Sequence, residues 1–212
     1  MRLENKLAIE KLFNSKVIAV VRNCEFNDLV PLASVLLEGG IDAIEITMEQ
    51  PNAVEKIVEL NKFFGKELKI GAGTVINREI AISAIKSGAK YIVSPTLNAD
   101  IIKVCKDANT LVIPGAFTPT EILQANDLGA DAVKIFPASV LGPKYIKQIK
   151  GPLPHIPIIA TGGIDEDNVE SYLSVGVNAV GIGGNLVKLE QEDKFNRILE
   201  VADRIMTKCK KY

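Results

Sequence analysis

The chain has 212 residues, 47% of them hydrophobic and 24% charged, enough for one sizeable core and without the bias that marks disorder. Lys and Arg number 25 against 26 Asp and Glu, which removes any electrostatic case for nucleic acid or an anionic membrane surface and leaves a small molecule as the expected partner. No apolar run approaches the roughly 18 residues of a membrane span, and the charged opening MRLENKLAIE lacks the apolar centre of a signal peptide, so a cytoplasmic protein is expected.

In chain order, a helix over about residues 2–14 comes first. Eight β-branched runs follow: VIAVV (17–21), DAIEIT (42–47), LKIGAG (68–73), KYIVSP (90–95), TLVIPG (110–115), DAVKIF (131–136), IPIIAT (156–161) and NAVGIG (178–183). Amphipathic segments such as DLVPLASVLLEGG, PNAVEKIVELNKF, NREIAISAIKSGA and TPTEILQANDLGA lie between them, several ending in Gly where a helix C-cap falls. Starts of the runs are roughly 20 to 27 residues apart, the spacing of parallel strands that each feed a helix. An open doubly wound sheet shows the same alternation, but eight regular units favour an α/β fold of the (β/α)8 TIM-barrel type, with the extra N-terminal helix capping its bottom. No linker or low-complexity tract divides the chain, so residues 1–212 are expected to form a single barrel domain.

Barrel chemistry collects at the carboxyl ends of strands, so polar residues late in a run are the candidates. Arg22 closes the first run, Glu45 interrupts the second, Thr74 follows the third, Lys134 sits late in the sixth, and Thr161 precedes Gly162 and Gly163 after the seventh. A lysine in an apolar strand must snorkel, find a partner or shed its proton, and the last option makes it a nucleophile. Each residue also has a plainer reading. Lys134 can snorkel, Glu45 can pair with Lys134 or Arg22 as a structural ion pair, Arg22 can be a solvated charge, and Thr74 and Thr161 can be turn or cap residues. Their joint placement favours a site.

ATGGID (160–165) and GIGGN (181–185) end the seventh and eighth runs, where barrels often hold phosphate on loop amides, although glycines also make ordinary turns. GAGT (71–74) has neither dinucleotide-binding nor P-loop spacing. Cys24, Cys105 and Cys209 are far apart without CxxC spacing, which suits a reducing compartment and neither a disulfide framework nor a zinc site. The only histidine, His155, falls in a proline-flanked loop, which leaves proton transfer to a carboxylate or lysine.

The motifs AVVR, EGGIDAIEIT, GAGTV, SGAKYIVSP, VIPGAFTPTE, VKIFPA, TGGI and VGIGGNLV, in this order over nearly the whole chain, resemble the class I aldolases acting on 2-keto-3-deoxy-6-phosphogluconate (KDPG) and 4-hydroxy-2-oxoglutarate. The resemblance implies reversible cleavage of a phosphorylated 2-keto acid to pyruvate and D-glyceraldehyde 3-phosphate, in the Entner–Doudoroff pathway, by a homotrimer with no metal and no cofactor. It also implies Lys134 as the Schiff-base lysine, Glu45 as the general acid/base, and Thr74 and Arg22 near the pyruvyl carboxylate. Pro95 and Phe136 are implied to line the pocket, Thr161 to touch substrate, and Gly162, Gly163, Gly184 and Asn185 to hold phosphate. Two residues depart from the pattern: Glu49 stands where some members carry a carboxylate-binding arginine, and Asn185 where serine is frequent. The galactonate epimer and 4-hydroxy-2-oxoglutarate are alternative main substrates, and a barrel that binds a sugar phosphate without covalent chemistry is the alternative class.

Overall fold

The structure, a computed structural model, describes residues 3–188 and 193–212. Helix α1 (Leu3–Asn14) precedes β1 (Val17–Val21), and strands and helices then alternate: α2 (Phe26–Glu38), β2 (Ala43–Thr47), α3 (Ala53–Phe64), β3 (Lys69–Gly73), α4 (Arg78–Lys86), β4 (Tyr91–Val93) and α5 (Ala99–Asp107). The chain continues through β5 (Leu111–Ile113), β6 (Gly115–Ala116), α6 (Pro119–Asp127), β7 (Val133–Ile135), α7 (Ala138–Lys150), β8 (Ile158–Thr161), α8 (Val169–Leu173), β9 (Ala179–Ile182), a 3-10 turn (Gly184–Val187) and α9 (Lys194–Cys209). All strand pairs are parallel, in the order β5-β4-β3-β2-β1-β9-β8-β7-β6.

The two ends of that order, β5 and β6, flank Pro114 and are two halves of one bent strand. Proline has no N–H for the ladder, so the strand breaks there and its halves face different neighbours. The first half pairs with β4 and the second with β7. Bonds from Lys134 N–H to Pro114 O (2.9 Å) and from Asp131 N–H to Val112 O (3.0 Å) complete the seam. The eight runs read from the sequence therefore close into one ring with helices outside, the (β/α)8 barrel expected.

Side chains alternate across each strand, so every second residue points into the ring. Ile18, Ala43, Tyr91, Val93, Leu111, Ile113, Ala132, Ile159 and Ala179 form one buried cluster, which Ile9 and Leu12 of α1 join. This is the barrel interior with α1 as its floor. A larger cluster, including Leu32, Leu36, Ile44, Ile57, Ile70 and Val133, packs the outward strand faces against the helices.

Candidate active site

Two residues beyond the interior layer, the same alternation brings Glu45 after Ala43, Lys134 after Ala132 and Thr161 after Ile159 to the carboxyl-end mouth. Glu45 lies on the second strand of the ring and Lys134 on the sixth, so they face each other across the interior. They are 2% and 5% exposed. Burial pushes the Glu45 carboxyl above its ordinary range; Lys134 and Arg22 pull it down and Glu49 adds to the rise, with the net shift upward. The Lys134 ammonium stands 4.9 Å from the centroid of the Phe136 ring, within reach of its negative face.

Room for these groups comes from glycine at matching inward positions. A Cβ on Gly73 would fall 1.8 Å from Glu45 Oε1, and one on Gly71 would fall 2.2 Å from the Tyr91 ring. Gly181 likewise gives way to Thr161 Oγ1, and Gly115 to the carbonyl of Pro95. Tyr91, whose ring crosses the interior, donates its hydroxyl to Ile44 O at 2.8 Å, beside Glu45.

Arg22, Phe136, Thr161, Gly162, Gly163 and Gly184 line one cleft of about 370 Å³. Gly162, Gly163 and Gly184 all have left-handed φ, which turns successive amides without a side chain in the way. The Arg22 guanidinium donates to Glu49 Oε1 and, at 3.4 Å, to Thr74 Oγ1. Thr74 itself holds φ +55, an uncommon conformation for a β-branched residue and one that concentrates at functional sites. Pro95 is half-buried at the end of the fourth strand, outside the lining of this cleft. The side chain of Asn185 lies outside the described residues.

Sequence reasoning missed a buried brace at the ends of the first two strands. The Gln50 amide donates to Val21 O (2.9 Å) and Thr47 Oγ1 (3.3 Å), while its oxygen accepts from Cys24 N–H and from Lys56 Nζ (2.8 Å). Thr47 in turn donates to Val21 O. This network fixes the segments that carry Arg22, Glu45 and Glu49. In the sequence, Lys56 looks like any lysine on a helix face, and only its place behind the strand ends reveals it.

The three cysteines are free and buried, and burial pushes the thiols of Cys24, Cys105 and Cys209 up to about 11, 12 and 11, far from a reactive thiolate at neutral pH. His155 is exposed. Among the described residues no group of three or more His, Cys, Asp or Glu side chains could hold a metal ion, and no helix is long and apolar enough to cross a membrane. What converges is an amine, a carboxyl that readily holds a proton, and a glycine-walled cleft with one guanidinium: means for covalent attack on a carbonyl, proton transfer and anion binding.

The family described as KDPG and KHG aldolase matches residues 8–201. The chain is 36% identical over 205 residues to the 2-dehydro-3-deoxy-phosphogluconate aldolase of Haemophilus influenzae, covering 93% of this chain and 96% of that one. It is 32% identical to the 2-dehydro-3-deoxy-6-phosphogalactonate aldolase of Escherichia coli, covering 82% and 86%. The structure of KDPG aldolase from Legionella pneumophila, with pyruvate captured at low pH as a covalent carbinolamine intermediate, matches with a TM-score of 0.84 and 31% identity over 93% of this chain and 96% of that chain.

Proposed function

Since the chain belongs to the KDPG and KHG aldolase family and is a lyase, we propose that it reversibly cleaves KDPG to pyruvate and D-glyceraldehyde 3-phosphate through an imine on Lys134. The observation that carries this reading is the buried lysine facing a buried carboxyl of raised pKa across one ring of strands.

Breaking the C3–C4 bond leaves an electron pair on C3, and a protonated imine at C2 accepts it far better than a ketone does. Lys134 Nζ attacks C2, and loss of water from the carbinolamine gives that imine. Glu45 donates the proton for dehydration and, as carboxylate, then takes the proton of the C4 hydroxyl. C3–C4 breaks, the aldehyde leaves, and the electrons settle as the enamine. Glu45 returns its proton to C3, and hydrolysis releases pyruvate and the free amine. A carboxyl whose pKa burial holds above its ordinary value suits both directions of transfer. Amides at Gly162, Gly163 and Gly184 are suited to receive the phosphate, and Arg22 beside Thr74 to hold the pyruvyl carboxylate.

Incubation with pyruvate and sodium borohydride is expected to leave a stable pyruvyl adduct on Lys134, detected by peptide mass. Lys134→Ala is expected to lose the adduct and essentially all turnover. An unmodified wild-type mass, under conditions that label another class I aldolase, overturns the imine. Relatives named for both the gluconate and the galactonate acids resemble this chain, so progress curves with each epimer, and with 4-hydroxy-2-oxoglutarate, decide the preferred substrate. We also infer a cytoplasmic homotrimer; sedimentation finding only monomer at micromolar concentration removes the trimer.

A further inference from the structure

Lys134 and Glu45 work at the carboxyl end of the strands, and the opposite end carries a groove of its own. Helix α1 packs against β5 and β9, so it lies over one side of the barrel floor. Beside it, at the starts of β3 and β4, a cleft of about 510 Å³ opens over the buried Leu12, Leu68, Tyr91 and Leu111, with the exposed Lys11, Lys66 and Lys90 around it. A second cleft of about 360 Å³ adjoins the first and shares Gly65, Lys66, Glu67 and Lys90 with it, and in this one Phe63 is 53% exposed. Each is within the size range of small-molecule sites.

Charge limits what such a groove can hold. Asp42, in the first cleft, is committed to Lys69, whereas among the described residues the side chains of Lys11, Lys66 and Lys90 have no ion-pair partner. Glu67 is the only other carboxylate lining either cleft, so three ammonium groups face one negative charge. The surplus of about two charges matches the −1.5 to −2 of a phosphate monoester at neutral pH. Phe63 supplies the second half of a recognition site. The Lys62 ammonium stands 5.4 Å from the centroid of its ring, and the opposite face of a ring held in this way is free to stack on a planar group. The backbone that presents these side chains is fixed in advance: Glu67 N–H and Leu68 N–H both donate to Phe64 O, at 2.9 and 2.8 Å, and Lys90 N–H donates to Ile70 O at 2.8 Å.

We propose that this groove at the barrel floor is a second binding site, for a phosphate monoester that carries a planar ring, the chemistry of a nucleoside monophosphate. The ring stacks on Phe63, and the phosphate lies among Lys11, Lys66 and Lys90. The site is at the other end of the barrel from Lys134, so it can be filled whichever keto acid the mouth cleaves.

The test is calorimetric titration of the enzyme with adenosine 5′-monophosphate at low ionic strength, beside adenosine and inorganic phosphate. The nucleotide is expected to bind saturably, about ten-fold or more tightly than either half alone, and to weaken as salt rises. Phe63→Ala should weaken it about ten-fold through lost stacking, and Lys66→Gln combined with Lys90→Gln by at least as much through lost charge-assisted contacts. Both variants should keep wild-type kcat and KM in aldol cleavage, which separates this site from the mouth. In the wild type, the nucleotide should also slow acetylation of Lys66 and Lys90 several-fold and leave the exposed Lys147 of α7 unaffected. Absence of saturable binding, inorganic phosphate binding as tightly as the nucleotide, an affinity unchanged in either variant, or unslowed acetylation of Lys66 and Lys90 overturns the proposal.

Discussion

Glu45 is placed where a carboxylate costs the fold free energy. Its folded pKa lies above the ordinary 4.5 because burial penalises the charge more than Lys134 and Arg22 relieve it. The native state therefore holds this proton at pH values where the unfolded chain has released it, and stability falls as pH rises from 4.5 through the raised value. Glu45→Gln is neutral at every pH, so it should melt higher than wild type at neutral pH, with the difference shrinking toward zero below pH 4.5. In the same variant, exchange of pyruvate methyl protons with deuterated water should slow by a factor on the order of 10² or more, while imine formation persists. Exchange at the wild-type rate would remove Glu45 as the acid/base. Lys134 and Glu45 were legible in the sequence because each interrupts an apolar run. Gln50 and Lys56 were not, since polar residues in a loop and on a helix face carry no pattern that separates a buried brace from a solvated surface.

At the scale of elements, the eight runs were legible because parallel strands buried on both faces must be apolar and β-branched almost throughout. Within the run TLVIPG, Pro114 marks a break in the ladder, but which neighbours the two halves meet, β4 for the first and β7 for the second, is decided only by the closed ring. GAGT was legible as the strand end that carries Thr74 and as a motif without nucleotide-binding spacing; the purpose of its glycines lies across the ladder. Residues Glu45 and Gly71, and Thr47 and Gly73, are register partners of β2 and β3, and the missing Cβ of Gly73 is what admits the Glu45 carboxylate. Gly73→Ala should therefore act on chemistry first, since the atoms it meets, Oε1, Cδ and Cγ of Glu45 at 1.8, 2.4 and 2.5 Å, all belong to the catalytic side chain, which must move as a whole. A displacement of about 1 Å in a catalytic group can cost about 10²-fold in rate. Gly71→Ala should do the reverse, because the obstacle is the buried Tyr91 ring, and overpacking of that kind costs about 1–3 kcal/mol. Measuring kcat and Tm on both variants checks the division. A Gly73→Ala enzyme with wild-type kcat would show that the Glu45 carboxylate does not need its present position.

For the whole molecule, a mouth that brings the second and sixth strands face to face exists only if the ring is shut, and the seam is where β5, β6 and β7 meet. Asp131, just before β7, is the clasp. Its backbone N–H donates to Val112 O, its Oδ2 accepts from Val112 N–H at 2.9 Å, and its Oδ1 accepts from Lys106 Nζ at 2.9 Å. The Asp131 side chain is 1% exposed, whereas Lys106 is 30% exposed and reaches water. Asp131→Ala thus strands the buried Val112 N–H but not the ammonium, a loss of about 2–4 kcal/mol and less than breaking a fully buried pair. For a chain of this length that is a fall in Tm of about 5–15 °C. Asp131→Asn keeps an acceptor for Val112 N–H and loses only the charge, so it should cost about half as much. The comparison is Asp107→Asn, which breaks the exposed i,i+4 pair with Lys103 and should change stability by no more than about 0.5 kcal/mol. If Asp131→Ala melted as close to wild type as Asp107→Asn does, the seam would not depend on this side chain. If it melts as expected, borohydride trapping should fail together with the near-ultraviolet signal of the fold as temperature rises, because Lys134 meets Glu45 only across a closed ring.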